Sequence, residues 1–286
     1  MTQGSVPLQY HTHISAEHRW FDLNLKEVWK YRDLILLFTK RSFQVRYKQT
    51  VLGPAWLFLS PFITSVIYTL VFGNIAGIAT EGVPKILFYM CSNAIWTFFS
   101  SCVTNNARTF TSNAGMFGKV YFPRLTKPIS NMLNSVINFC IQLIMIAFFF
   151  VYYLWRGDVS PNWVAWPLIP LVLVHLGIMG VGFGIIISSL TTKYRDLSIL
   201  VGFGVSLWMY LTPILYPLSQ LGDGTMKTIM LINPVTAPVE VFRYALVGQG
   251  TIHAGYLCGS LVFTVLVAVF GIMIFNKVER TFMDTV

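Results

Sequence analysis

Charged side chains are scarce in this sequence. Asp, Glu, Lys and Arg make up only 11% of its 286 residues, whereas 55% are hydrophobic and 15% are aromatic. Soluble domains carry about 25% charged residues, because their water-facing surface has to be covered. The shortage excludes a soluble globular domain and indicates that most of the chain faces lipid or other apolar helices.

Stretches without charge show where the chain crosses the membrane. A helix needs about 20 mostly apolar residues to cross roughly 30 Å of hydrocarbon. Six such stretches contain no Asp, Glu, Lys or Arg: residues 55–76, 86–105, 129–154, 163–190, 199–217 and 255–275, with approximate ends. Continuous apolar runs such as 141–155 lack the alternation of barrel strands. The sequence therefore predicts an all-α integral membrane protein with six transmembrane helices.

The spans also lack the charges that ion coupling requires. Ion-driven transporters place Asp, Glu, Lys or Arg within their spans to bind or relay the coupling ion. His175 in the fourth span is the one ionisable exception, and a hydrogen bond to a neighbouring helix explains a single neutral imidazole well. Coupling to protons or sodium ions is therefore disfavoured.

Motifs for nucleotide, metal and catalytic sites are missing as well. Gly118-Lys119 is followed by Val120 rather than by Ser or Thr, so it does not form a P-loop. The four cysteines have no Cys-x-x-Cys spacing, and the carboxylates form no paired cluster. We expect no catalytic residue, no metal site and no cofactor in this chain.

The basic residues favour one topology. With both termini in the cytosol, 16 Lys and Arg residues lie on the cytosolic side and four lie outside, as the positive-inside rule requires. The cytosolic side then has a net charge of 16 − 7 = +9, and the outer side has 4 − 4 = 0. The whole excess reflects topology and attraction to anionic lipid, so it gives no reason to expect nucleic acid as a partner.

Two cytosolic segments precede or connect the spans. After a cytosolic tail, residues 1–24, the sequence predicts a basic amphipathic interface helix over 25–50 and a membrane domain over 51–286. The interface helix anchors the first span to anionic lipid or docks a cytosolic partner. The loop 106–128 contains Met116 and Phe117, whose exposure would be costly. A short helix that enters a groove of a partner explains them, and packing on the membrane domain explains them nearly as well.

The long outer segment 218–254 is semi-apolar but broken by glycines and prolines. It is too interrupted to span the membrane, so we predict re-entrant helices between spans five and six. Such a hairpin is suited to be an external gate.

Uncharged polar residues mark one face of the third span. Asn131, Asn134, Asn138 and Gln142 recur every three or four residues, which places them on one side of a helix. Two interpretations stay open, because these amides form either hydrogen bonds between helices or the lining of a path for a hydroxyl-rich substrate. Aromatic residues near spans one, two and five are similarly either core and interfacial residues or stacking platforms for sugar rings.

Small-residue motifs predict close helix packing. Gly180-x-x-x-Gly184 and Gly255-x-x-x-Gly259 both have the spacing that lets two helix backbones approach. Packing within the bundle is the expected use of each.

Five short motifs, in order along the chain, resemble those of the ABC-2 type polysaccharide export permeases, a family that includes O-antigen and teichoic acid exporters. They are the run Arg-Tyr-Lys-Gln-Thr-Val-Leu-Gly-Pro-Ala-Trp over 46–56, followed by Pro61; Phe122-Pro123-Arg124; Tyr194-Arg195-Asp196-Leu197; Trp208 with Thr212-Pro213-Ile214-Leu215-Tyr216-Pro217; and Asn233-Pro234 with Arg243.

The resemblance implies a permease rather than an enzyme. In that family two copies of the permease form the membrane path, and two cytosolic ATPase subunits bind ATP and Mg. The cargo is a polysaccharide linked to a polyprenyl diphosphate lipid, carried across the bacterial cytoplasmic (inner) membrane. Teichoic acid, lipid or drug cargo is the alternative, and an ion-coupled flippase is a more distant one.

The resemblance also implies roles for individual residues. The residues expected to couple to the ATPase are Arg46, Tyr47, Met116, Phe117, Pro123, Arg124, Arg195 and Asp196. Those expected along the substrate path are Trp56, Tyr68, Trp96, Asn134, Asn138, Trp208, Tyr210 and Tyr216. Asn233, Pro234 and Arg243 are expected at the external gate.

Overall fold

The structure of the chain, a computed structural model, describes residues 25–48, 53–194 and 196–285, with the side chains of all but 25, 47, 54 and 279–285. The described residues form helices and connecting turns without a strand, which confirms the predicted all-α class. The α-helices are α1 Leu25–Lys30, α2 Arg32–Tyr47, α3 Trp56–Tyr68, α4 Lys85–Ala107, α5 Thr109–Phe117, α6 Thr126–Arg156, α7 Leu168–Thr191, α8 Leu197–Tyr210, α9 Thr225–Ile232, α10 Thr236–Val247 and α11 Ala254–Thr285. A π-helix over Thr69–Ile75 extends α3. The predicted tail 1–24 and Arg195 lie outside the described residues.

Five described helices are long and apolar enough to cross a membrane. They are Trp56–Ile75, Lys85–Ala107, Thr126–Arg156, Leu168–Thr191 and Ala254–Val278. These segments match predicted spans one to four and six. The number of crossings stays a prediction, because the helix in the region of span five is shorter.

The predicted fifth span, 199–217, is only partly helical. Helix α8 ends at Tyr210, after 14 residues. Pro213 follows, and proline cannot donate the hydrogen bond that would continue the helix. The apolar run continues as a buried turn that contains Ile214 and Leu215. The span predicted from hydropathy is too long at this end, because residues after Tyr210 are as apolar as those of a membrane-spanning helix.

Helix α4 lies at the centre of the bundle, and α7 packs closely along it. A Cβ atom on Gly180 would lie 2.6 Å from the Cβ of Cys102, and one on Gly184 would lie 2.4 Å from the Cβ of Asn106. Glycine at these two positions therefore lets the backbones of α4 and α7 approach, as the motif predicts.

The second glycine motif behaves differently. A Cβ atom on Gly255 or Gly259 would have no atom within 4 Å, so these residues of α11 do not pack against another described helix. The expectation that they pack within the bundle is wrong for the described part of the chain.

Helices α2 and α5 lie at one end of the bundle, which we call the basic end. Helix α2 buries Ile35 and Phe38 and leaves Lys40 exposed, and Leu36, which the sequence placed on the apolar face, is exposed as well. The helix is fastened to the first turns of α6 through the hydroxyl groups of Thr39 and Ser130, whose oxygens lie 3.1 Å apart.

Helices α9 and α10 form a hairpin at the opposite end, which we call the hairpin end. They contain 8 and 12 residues, so at about 1.5 Å per residue they are much too short to cross a bilayer. Helix α10 is nevertheless almost wholly buried, with Val239 and Phe242 in the main core. Two short helices broken at Asn233-Pro234 agree with the predicted interruption of this segment.

Candidate functional site

The polar face of α6 divides into two parts. Near the basic end, the side-chain amide of Asn131 donates to the carbonyl of Asn105 and to Oδ1 of Asn106, each at 3.2 Å. That of Asn134 donates to the carbonyl of Ser130 in its own helix at 3.1 Å. Of these two residues, Asn131 forms hydrogen bonds to another helix, as the first interpretation of the polar face predicts, and Asn134 does not.

Further along the same face, two amide oxygens have no hydrogen-bond partner in the described part of the chain. Oδ1 of Asn138 and Oε1 of Gln142 are buried, and no hydrogen-bond donor within the described residues reaches them. Both side chains line a cavity of about 250 Å³ between α3, α4 and α6, which we call the amide cavity. Its other lining residues include Arg46, Trp56, Ser60, Thr97 and Ser101. The sequence does not separate these two amides from Asn131 and Asn134, because all four share one helical face.

The aromatic residues predicted along the path do not form one surface. Trp96 is only 6% exposed and packs against Phe99, with 5.6 Å between ring centroids. Trp208 packs edge-to-face on Phe99 and on Phe183. These two tryptophans therefore pack in the core of the bundle.

The other predicted aromatics are more accessible. Trp56 and Tyr210 are 46% and 51% exposed, and Tyr68 is half-buried with its hydroxyl on the sulfur of Met209. The hydroxyl of Tyr216 donates to the carbonyl of Tyr210 at 2.5 Å. Of this group only Trp56 lines the amide cavity, together with Asn138.

Asn233 fastens the hairpin to the end of α8. Its Oδ1 accepts from the indole nitrogen of Trp208 at 3.0 Å and from the backbone nitrogen of Val235 at 3.1 Å. Its Nδ2 donates to the carbonyl of Leu211 at 2.7 Å and lies 3.0 Å from the hydroxyl of Thr212. One side chain therefore holds the turn between α9 and α10 against two neighbouring segments.

Pro234 connects the hairpin with α11 and α7. Its carbonyl accepts a hydrogen bond from the hydroxyl of Ser260 at 2.5 Å. The Nε2 atom of His175 lies 3.1 Å from the same hydroxyl and 2.9 Å from that of Thr264. His175 is thus hydrogen-bonded to a neighbouring helix, which is the role that its sequence context favours.

Arg243 is the third predicted gate residue and is 1% exposed. Its guanidinium pairs with the buried carboxylate of Glu240, donates to the carbonyl of Pro213 at 3.1 Å and lies over the ring of Phe88, 4.7 Å from its centroid. Burial lowers the pKa of Arg243 to about 10, so the group is still charged at neutral pH. Sequence reasoning missed Glu240, although its spacing three residues before Arg243 on a helix could have indicated the pair.

A groove of about 750 Å³ separates α2 from α5 at the basic end, and we call it the basic groove. Arg41, Arg46, Met116 and Lys127 line it. The positive charges of Arg41 and Lys127 repel each other across it. The structure therefore brings Arg46 and Met116 together, and it gives the groove a positive potential.

Phe117 does not project into this groove. It is 4% exposed and packs with Phe110 and Phe122, while the guanidinium of Arg124 lies 5.7 Å from its ring centroid. Packing on the chain's own membrane domain, the second of the two interpretations, accounts for Phe117. Pro123, beside Arg124, is partly buried.

The remaining predicted coupling residues are dispersed or outside the described part. Asp196 is exposed at the start of α8 and is not among the residues that line the basic groove. The side chain of Tyr47 and all of Arg195 lie outside the described residues. No group of three His, Cys, Asp or Glu residues suited to a metal occurs within the described residues.

The fold and these networks define a multi-spanning α-helical membrane protein with a basic groove at one end and a fastened hairpin at the other. The sequence matches the ABC-2 type transporter family over residues 33–247, which is 215 of its 286 residues. The chain belongs to this family and is a membrane permease of the ABC-2 type.

Named relatives cover nearly the whole chain. It is 31% identical over 255 residues to the O-antigen export system permease protein RfbA of Klebsiella pneumoniae, across 88% of this chain and 94% of the relative. A second Klebsiella pneumoniae protein of the same name is 30% identical over 254 residues, across 88% and 94%. The O-antigen export system permease protein RfbA of Myxococcus xanthus is 28% identical over 224 residues, across 77% and 82%.

Proposed function

We propose that this chain is the permease subunit of an exporter that moves a polyprenyl-diphosphate-linked polysaccharide of the O-antigen class across the bacterial cytoplasmic membrane. The observation that carries the proposal is the identity of about 30% to O-antigen export permeases over nearly the full length of both chains. Within the ABC-2 family, this likeness favours glycan cargo over teichoic acid, other lipids or drugs.

The energy comes from separate subunits in this proposal. The family resemblance implies that two cytosolic ATPase subunits bind ATP and Mg and that two copies of this chain form the path. The lack of a P-loop in the sequence agrees with this division. The basic groove supports a docking role for the basic end, because an acidic segment of an ATPase is electrostatically complementary to Arg41, Arg46 and Lys127. Under the positive-inside rule, the basic end and both termini face the cytosol.

The hairpin end is the external gate in this proposal. Asn233 and Pro234 connect the hairpin to α8 and α11 through hydrogen bonds, and Arg243 connects it to α4 through a cation–π contact with Phe88. A closed state held in this way suits a path that has to stay sealed until ATP is hydrolysed. Membrane lipids surround the remaining apolar surface of the bundle.

The direct test is purification with a candidate ATPase encoded in the same genome. We expect the two proteins to co-purify and lipid-linked glycan to stimulate ATP hydrolysis several-fold in nanodiscs. If a teichoic acid precursor or a drug stimulates hydrolysis and lipid-linked glycan does not, the stimulating compound is the cargo instead of the glycan. If no ABC ATPase encoded in that genome binds this chain, the proposal that a separate ATPase subunit drives transport is contradicted.

A further inference from the structure

The two buried amide oxygens of Asn138 and Gln142 have no donor among the described residues, which is an energetic cost. A buried acceptor without a donor costs about 1–3 kcal/mol, and hydrocarbon supplies no water to reduce that cost. Gln142 is only 5% exposed, and its Oε1 has no donor within the described residues. Oδ1 of Asn138 is in the same state, and both side chains line the same cavity. Each oxygen is itself enclosed in the cavity wall, so it meets a hydroxyl-bearing ligand only when its amide turns towards the cavity.

The rest of the lining narrows the chemistry of that ligand. Ser60, Thr97 and Ser101 add hydroxyl groups to the wall. The ring of Trp56 supplies a flat apolar face of the kind that stacks on the apolar face of a sugar. Arg46 supplies a guanidinium, whose planar donors match the oxygens of a phosphate. Acceptors, an aromatic face and a guanidinium in one cavity fit a phosphate-linked sugar or polyol.

The size and depth of the cavity limit how much of the ligand it holds. Its volume of about 250 Å³ is below the range of roughly 300–1,000 Å³ that is typical for drug-sized ligands. It is suited to one ring rather than to a chain of rings. Gln142 lies 16 residues after the start of α6, near the middle of that 31-residue helix. Arg46 also lines the basic groove, so the phosphate lies towards the basic end and the hydroxyl groups lie deeper.

We propose that the amide cavity binds the phosphate-linked first sugar of the substrate, with Arg46 on the phosphate and the amides of Asn138 and Gln142 on the sugar hydroxyls. This assignment rests on the proposed function. The same chemistry is offered by the glycerol phosphate headgroup of phosphatidylglycerol, so the test has to separate the two sources.

Binding is measured by native mass spectrometry on the full chain in nanodiscs. The probes are farnesyl diphosphate that carries one N-acetylglucosamine, farnesyl diphosphate without sugar, and phosphatidylglycerol. Gln142→Leu should weaken binding of the sugar-bearing probe at least tenfold and leave binding of the bare diphosphate unchanged. Arg46→Gln should weaken binding of both diphosphate probes.

Stability separates this binding role from a structural one. Oε1 of Gln142 has no donor to lose within the described residues, so Gln142→Leu should leave the thermal midpoint unchanged or raise it. The matched control is Asn131→Leu, an amide on the same helix that bonds to α4. Asn131→Leu should lower the midpoint and leave the affinity for every probe unchanged.

Three results would overturn the assignment. Unchanged affinity of Gln142→Leu for all probes would mean that the cavity holds water only. A loss confined to phosphatidylglycerol would assign the cavity to a lipid headgroup. A loss of midpoint in Gln142→Leu equal to that in Asn131→Leu would make the amide structural. If lipid-linked glycan stimulates the ATPase complex while one of these results is found, only this inference fails; if no lipid-linked glycan binds or stimulates, the proposed function fails.

Discussion

Arg243 has the largest fully buried side chain among the described residues, and Glu81 also interacts with its charge electrostatically. The carboxylate of Glu240 neutralises it, and the other oxygen of that carboxylate accepts from the backbone nitrogen of Thr251 at 3.1 Å. The pair therefore fixes the backbone that follows α10 as well as α10 itself. A buried pair of this kind adds little net stability, but removing one partner leaves the other charge unpaired.

Arg243→Met should accordingly destabilise the protein strongly. We expect a loss of about 3–5 kcal/mol, the usual cost of leaving a buried charge without its partner. Thermal unfolding in detergent measures it. The double variant with Glu240→Gln should recover part of the loss, because it removes the unpaired charge.

The exposed pair of Lys227 and Asp223 is the control. The interaction with Lys227 holds the pKa of Asp223 below its usual value, but both groups are in contact with solvent. Lys227→Met should leave the thermal midpoint unchanged. An equal loss in Lys227→Met and Arg243→Met would contradict the structural role assigned to burial.

At the scale of single residues, the sequence indicates the general role of a side chain better than its hydrogen-bond partners. The family resemblance assigned Asn233, Pro234 and Arg243 to an external gate. All three contact segments next to the hairpin, and their role in gating stays a prediction. The sequence could not predict that Oε1 of Gln142 has no donor among the described residues, because pairing depends on which helix lies opposite. That information is absent from the periodicity of α6.

At the scale of elements, two motifs with the same spacing differ in use. Gly180 and Gly184 of α7 lie against α4, whereas Gly255 and Gly259 of α11 face open space. The spacing permits close packing in both helices but does not show which helix has a neighbour. The end of α8 is a second example. The helix ends at Tyr210, before Pro213, but residues 211–215 are still apolar, so hydropathy does not show where the helix ends.

Alanine substitutions should separate the two motifs. Gly184→Ala places a methyl group 2.4 Å from the Cβ of Asn106 and 2.9 Å from the carbonyl oxygen of Val103, so α4 and α7 have to move apart. We expect a clear loss of thermal midpoint, since such overpacking costs about 1–3 kcal/mol. Gly259→Ala meets no atom within 4 Å and should leave the midpoint unchanged or raise it. A reversed order of the two variants would show that α7 does not pack on α4 in this way.

At the scale of the whole molecule, the two ends of the bundle are built differently. The hairpin end is held by buried hydrogen bonds and an ion pair. The basic end presents exposed cations and the open basic groove. This polarity agrees with the charge excess predicted from the loops, and it leaves the basic end available for a soluble partner.

Arg41→Glu tests that surface without weakening the fold. Arg41 is exposed, and its replacement removes the repulsion with Lys127. We expect several-fold less ATPase to co-purify, with an unchanged thermal midpoint. Lys227→Glu, the same charge reversal at the hairpin end, should retain full ATPase binding. Equal recovery of the ATPase by both variants would exclude the basic groove as its docking surface.

The most direct measurement is ATP-driven export in proteoliposomes that contain the chain and its ATPase. Fluorescent lipid-linked glycan is added on the side of the basic end. The fraction of glycan that becomes protected from a glycosidase outside the liposomes is then measured over time. We expect protection that requires the chain, the ATPase and ATP together, and a proton or sodium gradient should not replace ATP. Protection driven by an ion gradient without the ATPase, or no protection with ATP and both proteins present, would contradict this expectation.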